Sequence, residues 1–329
     1  MSSLDLIRSA FSEMLQAKIA TKAELLAEGV ALDKPNSPVK LTVQDLFQLT
    51  YRVKGKPSDS STILPGPDKA IGHVIIKFLQ GNTFSVPIAT DTTIGCVQDA
   101  VATHVDYRPE EVRLIYGGTT ITDTPDFPLR ERGIGCNDVL CLIITPNEDS
   151  PIGGGSGSVP SLYIDDDLLH PSYDYDFTSL NDAGSKFYRG GYEYKRPCGW
   201  RRFALKVLGK YGGDEKWLGS TGRSGVGEWP VSYHGIQLAS SSGSGALDHE
   251  SRRDRFGRGH YSSPNVSVAE KYGTRFSHGG VEYVMVLQNR VNSDTTTMIS
   301  KDKTQDLDEY WITANGEDIR AYGICIKKI

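Results

Sequence analysis

The sequence predicts an α+β protein in successive parts, and three observations carry that reading. Apolar residues recur at helical spacing before residue 50. Two alternating runs flank a turn near residue 81, and β-branched runs separated by glycine clusters fill residues 195–329. At ~100–200 residues per domain, 329 residues accommodate two domains and a further segment. The expected division is a helical region and linker (1–68), a compact mixed module (69–147), a Gly/Ser linker (148–160) and a β-rich C-terminal domain with short helices (161–329).

At the N-terminus, Leu4, Ile7, Phe11, Met14 and Leu15 lie on one helical face. Leu41, Val43, Leu46, Phe47 and Leu49 mark a second helix. The two read as a small helical appendage, and the Pro/Ser/Gly-rich stretch KGKPSDSSTILPGPD after them reads as a linker.

In the second part, HVIIKFLQGNTFSVPI gives two alternating runs around Gln80-Gly81-Asn82, a hairpin signal. Ile94, Val97, Ala100 and Val101 then share a helical face, with Asp91-Thr92-Thr93 placed to cap it. EEVRLIYGGTTI and DVLCLIIT are further strands. The order of these elements, with RLIYGGTTI, FPLRERGI and DVLCLIIT in place, resembles ubiquitin. The resemblance implies a β-grasp domain and carries ubiquitin's hydrophobic recognition patch onto Leu79, Ile115 and Ile143. Strand alternation alone also puts apolar residues at these positions. In place of ubiquitin's basic tail stands NEDSPIGGGSGS, so Gly153-Gly154 reads as linker.

Composition excludes several classes. No apolar run approaches the ~18–20 residues of a membrane helix. The N-terminus lacks the basic and apolar blocks of a secretory signal. The five cysteines are scattered without zinc or redox spacing, which points to a reduced compartment, cytosol or nucleus, and to no metal. Residues 1–160 carry 14 basic and 19 acidic side chains, residues 161–194 carry 2 and 7, and residues 195–329 carry 20 and 15. The basic excess of the last part suits an anionic small ligand but falls short of a dedicated nucleic-acid binder. The acidic, tyrosine-rich stretch IDDDLLHPSYDYDFTSLNDAG reads as an ordered segment wrapped onto that part.

Chemistry-bearing residues concentrate in the C-terminal domain. WPVSYHG reads as a strand ending at His234-Gly235, and RFGRGHYSSP as a turn carrying Tyr261. SVAEKYG reads as a short helix with Tyr272. VEYVMVLQNRV, TTTMISK, DEYWIT and IRAYGICIKKI read as strands. Taken singly, a histidine after a strand or a tyrosine in a glycine turn is most often structural. The ordered series HG, FGRGxYSS, A-x-x-Y and DEYW resembles the catalytic domain of the diphtheria-toxin-like ADP-ribosyltransferases, the poly(ADP-ribose) polymerase class, from about Trp229 onward.

That resemblance implies a sandwich-like β domain that takes NAD as substrate. His234 would bond the adenine-side ribose, and the Gly235 backbone would clamp the carboxamide, with Ser262 alongside. Tyr261 and Tyr272 would sandwich nicotinamide. Glu309 would accept a bond from the nicotinamide ribose and stabilise its developing positive charge. Arg258 could attract the pyrophosphate or be a solvated loop charge. Three positions depart from the family pattern. Ile236 stands where Ser or Thr is usual, Ser262 replaces an aromatic, and the carboxamide-binding serine falls on Ala269, with Ser267 as a nearby substitute. Retention of Glu309 with little room for an acceptor loop favours mono-ADP-ribosylation of a protein acceptor, ubiquitin or a ubiquitin-pathway protein among the candidates. The alternative is an inactive NAD- or ADP-ribose-binding module that works through its ubiquitin-like patch. The arginine-specific toxin class would need an E-x-E turn, which Asp306-Leu307-Asp308-Glu309 does not supply.

Overall fold

A computed structural model describes residues 2–32, 37–51, 55, 62–79, 82–145, 162–220, 224–236, 259–304 and 308–329. Gln80, Gly81, Gly153, Gly154, Arg258, Asp306 and Leu307 lie outside the described residues.

The described residues between 62 and 145 form one sheet crossed by one α-helix. The strand order is Thr62–Ile63, Thr83–Ile88, Gly72–Phe78, Val139–Ile144, Val112–Tyr116 and Thr119–Thr120. The two central strands, Gly72–Phe78 and Val139–Ile144, run parallel, as in a β-grasp. Helix α4 (Ile94–Val105) starts where Thr93 Oγ1 accepts from the Cys96 amide at 3.3 Å. It buries Ile94, Val97 and Val101 against Val74, Ile76, Leu140 and Leu142. Part of the stretch that reads as linker is therefore an edge strand, because Thr62–Ile63 pairs parallel with Phe84–Ser85.

The C-terminal region pairs strands in the order Tyr175–Asp176, Arg201–Ala204, Ile319–Lys328, Val281–Val291 and Val231–Gly235, and Thr274–His278 also joins Val281–Val291. A second, three-stranded sheet holds His260–Ser262, Tyr310–Thr313 and Thr296–Ile299. Backbone bonds between Tyr233 and Ser263, at 2.7 and 2.9 Å, join the two sheets. The acidic stretch does wrap onto this region: Leu168, Leu169 and Phe177 are buried, and Tyr175–Asp176 pairs with Arg202–Arg201.

The N-terminal helices are not an appendage. Helix α1 (Ser3–Leu15) buries Ile7, Phe11, Met14 and Leu15 in the same core as Trp200, Phe203 and Val284. Ser9 Oγ bonds His278 Nδ1 at 2.7 Å. After it, strands Ile19–Thr21 and Val39–Lys40 pair parallel on either side of Leu162–Ile164. Lys22 and Lys40 reach Asp165 at 3.0 and 3.3 Å, and Lys40 reaches Asp167 at 2.6 Å. The apolar face was legible in the sequence. Its partner was not, since this pairing closes a loop of 143 residues between Lys22 and Asp165.

Helix α2 (Lys22–Ala27) begins with a capping box between Thr21 and Glu24, and helix α3 (Val43–Thr50) follows the strand Val39–Lys40. Leu46 and Leu49 of α3 share a core with Ile115, Cys141 and Ile143 of the β-grasp unit. That contact corrects the expectation of a free recognition patch. Ile115 and Ile143 are 1% and 2% exposed, and Leu79 packs partly buried against the same core. The three residues do face one side of the sheet, but the chain's own helix occupies it.

Candidate functional site

His234 lies on Val231–Gly235 opposite Leu287 and is 7% exposed. Its Nδ1 lies 2.7 Å from the carbonyl oxygen of Tyr261. A carbonyl only accepts, so Nδ1 carries the proton, and in a neutral ring Nε2 is then the acceptor edge. Tyr261 sits on the adjoining sheet opposite Ile312, half-buried, with its ring edge-on to Tyr310 at 6.4 Å between centroids.

Gly235 is required by packing within the chain. A Cβ there would collide with the Ala269 carbonyl oxygen and lie 2.6 Å from the Tyr272 carbonyl carbon. The short helix α5 (Ser267 and its neighbours, Val266–Glu270) thus seats its C-terminal end directly on this glycine. Tyr272 is placed just beyond, through its amide bond to the Ala269 carbonyl at 3.0 Å.

Glu309 precedes the strand Tyr310–Thr313, one strand over from Tyr261, with its side chain 31% exposed. Both carboxylate oxygens are engaged: Trp311 Nε1 donates to Oε1 at 3.0 Å, and Lys195 Nζ approaches Oε2 at 3.3 Å. Tyr233 fixes the backbone at Lys195, its hydroxyl donating to the Lys195 carbonyl at 2.8 Å. Gln288 Nε2 ties the Tyr233 and Tyr194 hydroxyls together at 3.2 Å each. Burial pushes both phenols well up, so they stay neutral. An ion pair between Lys271 and Asp308 draws the end of α5 toward the residue before Glu309.

Other predicted residues are placed differently. Ser262 is buried, and its hydroxyl donates to the Trp311 carbonyl at 3.4 Å, so it serves the sheet instead of facing a ligand. Ser267 is exposed while Ala269 is buried, two residues apart and so on opposite sides of α5. Ile236 is core: it is buried beside Gly118 of the β-grasp unit, where a Cβ on Gly118 would come within 3.2 Å of it.

Sequence reasoning missed Lys195, Trp311 and Tyr51, whose ring centroid lies 4.9 Å from that of His234. Only Trp311 had a signal, its two-residue spacing from Glu309 on a strand, which puts both on one face. Among the described residues no group of three His, Cys, Asp or Glu is arranged for a metal, and no helix is long and apolar enough to cross a membrane.

Comparison with known proteins gives a result for one part of the chain. The ubiquitin family matches residues 74–147, and that segment is a ubiquitin-like domain. Among solved structures, a computationally designed protein based on the template of human erythrocytic ubiquitin is similar at 21% identity. The match covers 24% of this chain and 99% of that one, with a TM-score of 0.22. Caldiarchaeum subterraneum ubiquitin is similar at 22% identity, covering 23% of this chain and 96% of that one, also with a TM-score of 0.22. No curated protein matches the chain.

Proposed function

We propose that the C-terminal region is an NAD-dependent mono-ADP-ribosyltransferase. The observation that carries this reading is the joining of His234 and Tyr261 through the 2.7 Å bond, with Glu309 just before the neighbouring strand and both its oxygens held. In this reading His234 Nε2 accepts a hydrogen bond from the adenine-side ribose, and Tyr261 and Tyr272 hold the nicotinamide ring. Glu309 accepts from the 2′-hydroxyl of the nicotinamide ribose. The bond from ribose C1′ to the nicotinamide nitrogen breaks with its electron pair leaving on nicotinamide. The Glu309 carboxylate stabilises the positive charge left on the ribose. A nucleophile of a protein acceptor then bonds to C1′ and releases its proton. NAD is a substrate here, and the chemistry assigned needs no metal.

The ubiquitin-like domain supports a link to the ubiquitin pathway, with ubiquitin or its partners as candidate acceptors. Recruitment through Leu79, Ile115 and Ile143 would require α3 to leave that face, so we assign the domain a role within the chain. A second reading, a binding module without turnover, draws on Ile236 and Ala269, two positions where hydroxyl side chains toward a ligand would be expected and which are instead buried apolar residues.

Nicotinamide release and mass gain of the full chain incubated with NAD test the proposal. Wild type gains single ADP-ribose units on itself or an added acceptor. Glu309→Gln lowers transfer by about 10²–10³ with NAD affinity nearly unchanged, the scale for losing a preorganised electrostatic partner. Binding without nicotinamide release selects the module.

A further inference from the structure

Tyr51 follows the last residue of α3 and is 2% exposed. Its ring centroid lies 4.9 Å from that of His234 at 40°, and 4.9 Å from that of His260 at 82°. Its hydroxyl donates to Asn289 Oδ1 at 2.8 Å. Val291, Trp311 and Ile319 pack around it. One side chain from the N-terminal region thus touches both C-terminal sheets, His234 on the first and His260 and Trp311 on the second. Trp311 is also the residue that holds Glu309.

The ubiquitin-like domain grips the helix that delivers this ring. Leu46 and Leu49 share a core with Ile115, Cys141 and Ile143. A Cβ on Gly118 would come within 3.2 Å of the Thr50 carbonyl oxygen, so the turn of the ubiquitin-like domain abuts the residue before Tyr51. Just beyond, the Gly55 amide donates to the Asn137 carbonyl at 2.8 Å. The chain around Tyr51 is therefore held on both sides by the domain that the family comparison identifies.

We propose that Tyr51 is a positioning residue for His234, and that the ubiquitin-like domain sets the geometry of the candidate NAD site in cis by holding α3. The proposal rests on the transferase reading for its substrate but not for its geometry. The Nδ1 bond to Tyr261 fixes one edge of the imidazole, and the Tyr51 ring limits its tilt. Together they aim the acceptor edge on which adenine-side ribose binding depends. A displaceable lid would be exposed and thinly packed. Tyr51 is instead enclosed and hydrogen-bonded, so it is built in.

The test uses the full chain with Tyr51→Leu, Tyr51→Phe and Leu46→Ala, reading nicotinamide release against NAD concentration and the imidazole ¹⁵N signals of His234. Tyr51→Leu raises KM for NAD about tenfold with kcat within about threefold, the factor expected from ~1.4 kcal/mol of lost binding. Tyr51→Phe keeps the ring and restores KM to within about twofold. Leu46→Ala, remote from the site, shifts KM and the His234 signals in the same direction by about threefold, and it carries the test if Tyr51→Leu does not fold. Unchanged or tighter NAD binding in Tyr51→Leu, or His234 signals that do not move in Leu46→Ala, overturns the proposal. A wild-type chain that neither binds NAD nor releases nicotinamide defeats the transferase reading instead. The His234 signals still decide the positioning claim, with His73 of the ubiquitin-like domain as the control that stays put.

Discussion

The ubiquitin-like domain and the C-terminal region build their cores in opposite ways. The first closes a core from its own strands and helix, with Ile76, Val97, Val101 and Leu140 all supplied between residues 74 and 147. The second takes apolar side chains from α1, α3 and even the outer face of the ubiquitin-like sheet, so that Phe11, Leu46, Ile143 and Phe203 belong to one cluster. A core made locally can be read from a stretch of sequence and matched to a family. A core assembled from segments far apart in the chain cannot, although each segment shows its apolar face.

Paired core truncations break this comparison most sharply. Phe11→Ala removes a fully buried ring and is expected to cost about 3–5 kcal/mol, the range for such a cavity. Amide exchange at Ile324 in the C-terminal sheet accelerates, while exchange at Val97 keeps most of its protection. Leu140→Ala costs about 2–5 kcal/mol and reverses the pattern, accelerating Val97 first. Equal loss at both probes from either substitution would mean that the two cores unfold as one unit.

A smaller effect comes from the seam that joins the N-terminal strands to Leu162–Ile164. Burial works against ionising Asp165, but hydrogen bonds from Lys22 and Lys40 outweigh it and hold the carboxyl below its ordinary value. A carboxyl lowered on folding stabilises the folded state above its unfolded value, about 4, and that contribution is lost as pH falls through the lowered folded value. The thermal midpoint therefore drops below about pH 4 by more in wild type than in Asp165→Asn. Parallel acid profiles for the two proteins would remove the seam from the account.

Much of the architecture was legible from residue patterns alone. Ile7, Phe11, Met14 and Leu15 are buried as their spacing requires, and the strands ending in His234, carrying Tyr310–Thr313 and closing the chain at Ile319–Lys328 form where alternation puts them. What escaped was the partner of each face. The patch at Ile115 and Ile143 has the right residues for recognition, and only long-range packing shows α3 on top of it. Gly235 carries a glycine signal, yet the close approach it permits is to the Ala269–Tyr272 backbone. Ser262 follows a tyrosine of the motif, but strand alternation turns it toward Trp311. Tyr51 gave no signal because it is 183 positions (234 − 51) from the histidine it touches. Cys141 shows the same effect from the other side: burial beneath α3 pushes its thiol up to about 12, a fate its strand position alone does not reveal.

The most direct test of this shared core is methyl NMR of the full chain beside an isolated ubiquitin-like domain spanning residues 62–147. In the full chain, the Ile115 and Ile143 methyl groups should show nuclear Overhauser contacts to Leu46 and Leu49, and their shifts should differ clearly from those in the isolated domain. Val97 and Val101 methyl groups, enclosed by the domain's own core, should hardly change. Identical Ile115 and Ile143 shifts in the two samples, with no contacts to α3, would contradict the account and return that face to the surface of the protein.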